Sequence, residues 1–290
     1  SHSRISQASS AIGPDFVQDW MEHIEDQFGA GAVRYYNLDN EPSLWNSTHR
    51  DVFPNGLSYD ELRDRTYLYA AAIKATDPTA LTLGPVEYGW TGYFYSGLDA
   101  AQPGNWWENP IDRLAHDNKP LVQWYLEQMQ AYQQAHGVRI LDYLDLHYYP
   151  AADFVTLSDN VDPVVQALRL RTTRSLWDAT YTDESWIGDP NQAIRQVRLI
   201  PRMRDWVNTY YPGTRLAISE YNFGGLEHIN GALTQADVLG IFGREGLDLA
   251  TLWDAPTAAQ PGAYAFRIYR NYDGAGGSFG ETSVAASSSD

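Results

Sequence analysis

Residues 33–42 read VRYYNLDNEP, and this stretch decides the fold class. Its first six residues are mostly apolar or aromatic, which is typical of a strand. Pro42 cannot continue a hydrogen-bonded ladder, so the predicted strand stops before it. The strand therefore ends by presenting three polar residues, the last of which is Glu41.

The same arrangement recurs along the chain. Apolar stretches of strand length alternate with amphipathic helical patterns, and each stretch ends in polar or aromatic residues; the stretches are 33–38, 81–86, 140–146, 215–219 and 249–252. This alternation predicts a parallel sheet with crossover helices, whose strands share one carboxyl edge. A TIM-like barrel and an open doubly wound sheet both place active sites at that edge. We expect the barrel, although five strands are fewer than eight.

Helix boundaries follow from capping and periodicity. Capping-box patterns start helices at Asp15 and at Ser58, the second with an apolar stripe that runs to Ile73. Further helices are predicted at 120–136, at 193–211 with a kink near Pro201, after Thr234 and at 263–269.

Composition excludes several classes of protein. Acidic residues outnumber basic ones by 37 to 20, which gives a net charge of −17 and makes nucleic acid and anionic membranes poor partners. The chain has no cysteine, and no stretch of about 20 apolar residues that a membrane span needs. Aromatic residues make up 13% of the chain; about two thirds of them are expected in the core, and the faces of the others could stack on sugar rings.

Two glutamates are placed for glycoside hydrolysis. Glu41 and Glu220 each follow an apolar strand, so both side chains lie at one rim of the predicted sheet. Hydrolysis of a glycosidic bond with retention needs two carboxyl groups about 5 to 5.5 Å apart, one protonated and one ionised. The sequence therefore predicts a catalytic pair.

Motifs spread along the chain resemble those of glycoside hydrolase family 44 endoglucanases; they are 38–45 (LDNEPSLW), 175–178 (SLWD), 210–214 (YYPGT) and 269–274 (YRNYDG). The resemblance implies that Glu41 is the acid/base and Glu220 the nucleophile, at the ends of barrel strands four and seven. It also implies a TIM-like barrel with an added β-sandwich domain. On that basis residues 1–273 are predicted to form strands four to eight, without the first three, and residues 274–290 a Gly- and Ser-rich tail towards a missing β-sandwich.

The strand ends also supply candidates for binding the sugar. Asn40 is expected to donate to the sugar 2-hydroxyl, and His147 and Tyr149 stand where related enzymes use a His and a Tyr near the nucleophile. Three aromatic residues complete the set: Trp253 as the floor of the sugar site, with Trp45 and Tyr221 as further contacts.

No cofactor is expected for this chemistry. The 7 histidines show no spacing typical of a zinc site. The acidic stretches 159–162 and 183–189 could hold a structural calcium through oxygen ligands, although solvated loops are the favoured interpretation.

The predicted function is that of a secreted, retaining endo-acting β-1,4-glucan hydrolase, monomeric when complete, whose partner is a glucan chain. A non-catalytic glucan-binding barrel fragment is the alternative. An esterase using Ser278 is a third interpretation, and it is disfavoured because no strand precedes the GGSFG stretch.

Overall fold

The computed structural model describes residues 11–278 and residue 280; residue 279 and residues 281–290 of the predicted tail lie outside the described residues. The contacts divide these residues into two compact units. The first unit contains the described residues up to Tyr149, together with Ile200–Tyr221 and Leu247–Leu252. The second contains Pro150–Leu199, Asn222–Gly246 and the described residues from Trp253 onward.

The first unit is built on a five-stranded sheet whose strands are all parallel and lie in chain order. The strands are β1 (Tyr35–Asn37), β2 (Leu81–Glu87), β3 (Tyr143–Leu146), β4 (Arg215–Tyr221) and β5 (Leu249–Leu252). The predicted parallel sheet is confirmed, and all five strands were located. β2 and β4 run further toward the carboxyl edge than predicted, so Glu87 and Glu220 belong to strands rather than to loops.

Helices connect these strands. In chain order they are α1 (Pro14–Phe28), α2 (Trp45–Thr48), α3 (Tyr59–Thr76), α4 (Gly97–Ala100), α5 (Ile111–Ala115), α6 (Leu121–His136), α7 (Pro163–Thr172), α8 (Leu199–Tyr210), α9 (Ile229–Glu245) and α10 (Pro261–Tyr269). Within the described residues, no helix is both long and apolar enough to cross a membrane. The second unit holds α7, α9 and α10, and α7 was not predicted.

The start of α3 matches its sequence signature. The Ser58 hydroxyl accepts the Glu61 amide at 3.2 Å, and the Glu61 carboxylate accepts the Ser58 amide at 3.1 Å. These two bonds satisfy amides that would otherwise lack partners in the first turn. The helix buries Leu62, Thr66 and Ile73 as its stripe predicts.

Three predicted helix starts were wrong. α1 begins at Pro14 with Gly13 as its N-cap, so Asp15 lies inside the first turn and cannot cap it. α8 begins at Leu199, which leaves Pro201 in the first turn where its missing amide costs little, and no kink is needed. α9 begins before Thr234, whose hydroxyl bonds the Asn230 carbonyl within the helix.

The two faces of the sheet carry different residues. On the outer face, Met21 of α1 and Ile73 of α3 pack against Tyr36. On the inner face, Leu83, Tyr143 and Ala217 form an apolar cluster. Inner-face positions nearer the carboxyl edge are polar instead; they are Asn37, Asp145 and Ser219. The apolar cluster therefore forms a floor, and the polar groups above it face the edge where the candidate residues lie.

The second unit is organised around the buried guanidinium of Arg169, which is 1% exposed. It donates to the backbone carbonyls of Phe223, Ser158 and Asn160 and to the side chain of Asn230. Bonds to several acceptors satisfy a buried cation that would otherwise be costly. One side chain thus fixes two loops against α7 and α9.

We predict that Ser58→Ala lowers the free energy of unfolding by about 1 kcal/mol, because the Glu61 amide in the first turn of α3 loses the hydroxyl that accepts its bond. Asp15→Ala is the matched control: it removes an acidic residue from the first turn of α1 without removing a cap, so only a few tenths of a kcal/mol are expected. Urea denaturation of both variants measures the difference. Equal losses would contradict the assignment of the two helix starts.

Candidate active site

Glu41 sits at a sharp change of chain direction after β1. Its backbone is left-handed, with φ 46° and ψ 57°, and it caps the 3-10 turn Pro42–Leu44. Its amide donates to the Val86 carbonyl at 2.9 Å, and its carbonyl accepts the Leu44 amide at 2.9 Å. Glu41 is therefore fixed on one side by β2 and on the other by its own turn.

His147 and Glu220 are fixed in the same manner. The His147 amide donates to the Glu87 carbonyl at 2.8 Å, and the Tyr148 amide donates to the Glu220 carbonyl at 2.9 Å. The pairing of β4 with β5 shifts register between Ile218 and Tyr221, a bulge that includes Glu220. Bulges of this kind redirect side chains next to active sites.

The three side chains meet. The Nδ1 atom of His147 is 2.9 Å from Oε1 of Glu41 and 3.4 Å from Oε2 of Glu220. One ligating atom from each of the three residues lies within 4.8 Å of the others. The imidazole is 1% exposed, whereas the carboxylates are 21% and 16% exposed. Solvent and a ligand can therefore reach the two carboxylates but not the imidazole between them.

Tyr149 distinguishes the two glutamates. Its hydroxyl donates to Oε2 of Glu220 at 2.8 Å. Burial, the hydrogen bond to Glu220 and the negative charges of Glu220 and Glu41 raise the pKa of Tyr149 well above its usual range, so the hydroxyl stays protonated. A hydroxyl that can only donate to Glu220 stabilises the ionised form of that carboxylate.

A second polar group lies below the pair. Asp145 is fully buried and accepts the Ser219 amide at 2.9 Å and the Asn37 side-chain amide at 3.4 Å. Burial raises the pKa of Asp145, against the hydrogen bonds from Ser219 that lower it. Asp145 of β3 thus links β1 through Asn37 and β4 through Ser219, the residue that precedes Glu220.

Glu87, at the end of β2, is fully buried, and its Oε1 atom accepts the Ser43 hydroxyl at 2.8 Å. Burial raises the pKa of Glu87 to about 8, and the charge of Glu41 adds to the rise. The Ser43 hydroxyl and nearby amides of Ser43 and Tyr88 oppose the rise without cancelling it. At neutral pH this carboxyl is therefore mostly protonated.

The remaining predicted residues are dispersed. Asn40 is exposed, and its carbonyl, not its side chain, accepts the Trp45 indole at 2.9 Å. Trp45 is half-buried with the Arg65 guanidinium over its ring. Tyr221 is 1% exposed, which leaves no face for a sugar. Trp253 belongs to the second unit, where its ring is 51% exposed and its carbonyl accepts the Asn222 side chain.

Glu41, His147 and Glu220 are also the one group in the described part of the chain that could hold a metal ion. Sequence spacing could not show this group, because its members come from three strands. Hydrogen bonding within the group accounts for its short separations. In the acidic stretches, Asp162 and Asp183 instead accept bonds from Val164 and Ser185 within their own turns.

Sequence reasoning did not identify two buried acids beside the pair, Glu87 and Asp145. The predicted strand 81–86 ends before Glu87, and Asp145 lies inside the apolar stretch 140–146. Each is an acidic residue within an otherwise buried parallel strand, where charged residues are rare unless they serve a site. That signal was available.

A curled parallel sheet that presents two facing glutamates at its carboxyl edge, with a tyrosine donating to one of them, is the arrangement of a glycoside hydrolase. Residues 1–152 match the model of Glycoside hydrolase family 44. The chain belongs to this family.

Individual relatives agree. The chain is 37% identical to the beta-mannanase/endoglucanase A of Caldicellulosiruptor saccharolyticus, over 98% of this chain and 22% of that protein. Among solved structures, it is similar to CelM2, a bifunctional glucanase-xylanase from a metagenome library, with a TM-score of 0.90, 47% identity and coverage of 97% of this chain and 53% of that one. It is also similar to a Paenibacillus polymyxa family 44 xyloglucanase whose structure was determined with xyloglucan. The TM-score is 0.81 and the identity 34%, over 94% of this chain and 53% of that one. The chain therefore spans between about a fifth and about half of the length of these relatives.

We predict that Glu87 makes the wild-type protein less stable as pH rises. The folded state keeps the Glu87 proton up to a pKa of about 8, whereas the unfolded chain loses it near its ordinary value of about 4.3. The stability linked to this proton is complete below the lower value and falls by about 1.4 kcal/mol per pH unit until the higher one.

Glu87→Gln removes this titration while preserving the shape of the side chain. Denaturant unfolding between pH 5 and pH 8 should therefore show the variant gaining stability relative to wild type as pH increases. A difference that stays constant with pH would show that Glu87 is ionised in the folded protein.

Proposed function

We propose that this chain hydrolyses the backbone of β-1,4-linked glucans at internal positions, with retention of anomeric configuration. The observation that carries the proposal is that one carboxylate oxygen of Glu41 and one of Glu220 lie within 4.8 Å of each other, close to the separation of about 5 to 5.5 Å that a retaining pair needs. An inverting enzyme needs about 6.5 to 9.5 Å, so that a water molecule fits between carboxylate and sugar.

In the first step Glu220 attacks the anomeric carbon and forms a glycosyl ester, while Glu41 gives its proton to the departing oxygen. The hydrogen bond from Tyr149 supports this assignment, because a hydroxyl that stays protonated stabilises an ionised Glu220, whereas the His147 Nδ1 atom that contacts Glu41 can be a donor or an acceptor. The nucleophile is therefore the glutamate with the dedicated hydroxyl.

In the second step Glu41, now ionised, removes a proton from water, and the resulting hydroxide displaces Glu220 from the sugar. The His147 contact suits the second step, because a proton on Nδ1 would donate to Oε1 of the ionised Glu41 and hold that carboxylate in place while it acts on water. Glycoside hydrolases of this kind need no cofactor.

The names of the relatives support a β-1,4-linked polysaccharide as substrate. They are named for glucan, mannan, xylan or xyloglucan, so a β-linked backbone is shared while side groups differ. We expect glucan to be the preferred substrate, because it is the polysaccharide that those names share most often. Such polymers are too large to enter cells, and this supports a secreted protein; the expected monomer stays a prediction.

We further infer that the five strands correspond to strands four to eight of a TIM-like barrel. The outer strands of the sheet support this: among the described residues β1 and β5 each pair with a single neighbouring strand, and such edges are what further barrel strands would cover. Sites at the carboxyl ends of the strands are general in such barrels.

We predict that Glu41→Ala lowers turnover of polysaccharide by about 10²- to 10⁴-fold, because departure of a sugar hydroxyl needs an acid. An aryl cellobioside with a good leaving group should lose far less in its first step. Added azide should restore turnover of the aryl substrate by replacing water in the second step. Initial rates on the two substrates, with and without azide, measure these effects.

Glu220→Gln is the control, since it removes the nucleophile. It should abolish turnover of both substrates and still bind oligosaccharide in calorimetry. Equal losses on both substrates in Glu41→Ala would remove Glu41 from the acid/base role. Binding without turnover by the wild-type chain would favour a non-catalytic glucan-binding protein.

A further inference from the structure

Glu87 has no part in the two chemical steps, yet it lies beside them. Its carboxyl is fully buried, and the nearest acidic group that influences it is Glu41. Burying a carboxyl group costs free energy unless the group is hydrogen-bonded or neutral. The burial of Glu87 therefore points to a role in the structure around it.

The contacts of Glu87 supply one. Oε1 accepts the hydroxyl of Ser43, which is itself buried and lies in the turn Pro42–Leu44. Glu41 caps this turn and holds it through the bond from the Leu44 amide. A displacement of Ser43 would therefore rotate the backbone that carries the Glu41 side chain.

The backbone of the same segment of β2 holds the other members of the site. The Val86 carbonyl accepts the Glu41 amide, and the Glu87 carbonyl accepts the His147 amide. Val86 has a positive φ of 62°, which is rare for a β-branched residue and is tolerated where the surroundings impose it. The pairing of β2 with β3 shifts register at this residue. The end of β2 is thus shaped around its two neighbours.

Gly92 closes the other side of the carboxyl. Oε2 of Glu87 forms no well-aligned hydrogen bond in the described part of the chain, and a Cβ atom added at Gly92 would lie 2.6 Å from it. The carboxyl is therefore held between Ser43 and Gly92, with little room to change rotamer.

We propose that Glu87 is a positioning residue for Glu41: its carboxyl anchors Ser43 and thereby sets the direction from which Glu41 reaches the glycosidic oxygen. This inference rests on the proposed function. The protonated state of Glu87 at neutral pH suits the role, because a neutral anchor adds no further negative charge beside the catalytic pair. Misplacing a catalytic group by about 1 Å can cost about 10²-fold in rate.

The test compares kcat/KM, which reports the steps up to the glycosyl ester, on a substrate with a poor leaving group and on an activated aryl cellobioside. Glu87→Leu and Ser43→Ala should each lower kcat/KM about 10- to 100-fold on the poor leaving group, with much smaller losses on the activated one. Glu87→Gln should recover most of the rate, because its carbonyl still accepts the Ser43 hydroxyl. The double variant of Glu87→Leu and Ser43→Ala should lose little more than either alone.

Asp99→Asn is the matched control. Asp99 is also a fully buried acid with a pKa raised by burial, but it bonds the amides of Asp112 and Arg113 at the start of α5. Its loss should leave the ratio of the two kcat/KM values unchanged. Hydrogen exchange, which needs no activity, should show faster exchange of residues 41–44 in Glu87→Leu and not in Asp99→Asn.

The outcomes separate the two claims. If Glu41→Ala itself leaves the leaving-group ratio unchanged, the proposed function fails. If Glu41→Ala changes the ratio while Glu87→Leu and Ser43→Ala do not, the positioning role of Glu87 is overturned and the proposed function stands. The positioning role would also be overturned if the amides of residues 41–44 exchanged hydrogen in Glu87→Leu at the same rate as in the wild-type protein.

Discussion

The hydrogen bond between His147 Nδ1 and Glu41 Oε1 joins the ends of β1 and β3, two strands that are not neighbours in the sheet. β2 lies between them, so the bond forms only if the chain bends inward after β1 and His147 projects over the end of β2. The left-handed Glu41 supplies the bend, and the carbonyl of Glu87 fixes the backbone of His147. Both carboxylates can then share one imidazole.

Two identical residue types acquire different roles from their surroundings. Glu220 accepts a hydrogen bond from the Tyr149 hydroxyl, whereas Glu41 contacts an imidazole nitrogen that can be a hydrogen-bond donor or acceptor. In the proposed mechanism the fixed donor favours the ionised form of the nucleophile Glu220, while Glu41 serves first as acid and then as base. The His147 imidazole is 1% exposed, so solvent does not compete for the ring atom that faces Glu41.

Much of this could be predicted from the sequence. Strand periodicity located all five strands, and strand ends located Glu41, His147, Tyr149 and Glu220, because parallel strands deliver their last residues to one edge. Burial could not be predicted in the same way: Tyr221 follows Glu220 directly, yet its ring belongs to the core. Contacts between strands distant in sequence, such as that of Glu87 with Ser43, leave no local pattern.

The central claim is that Glu220 forms a covalent bond to the sugar, and a slow substrate tests it most directly. A 2-deoxy-2-fluoro cellobioside with an activated leaving group should accumulate as a glycosyl ester, because the fluorine slows its hydrolysis. Intact mass and peptide mapping should then show one added sugar group on Glu220. A label on Glu41, or no label on an enzyme that turns over natural substrate, would contradict the account.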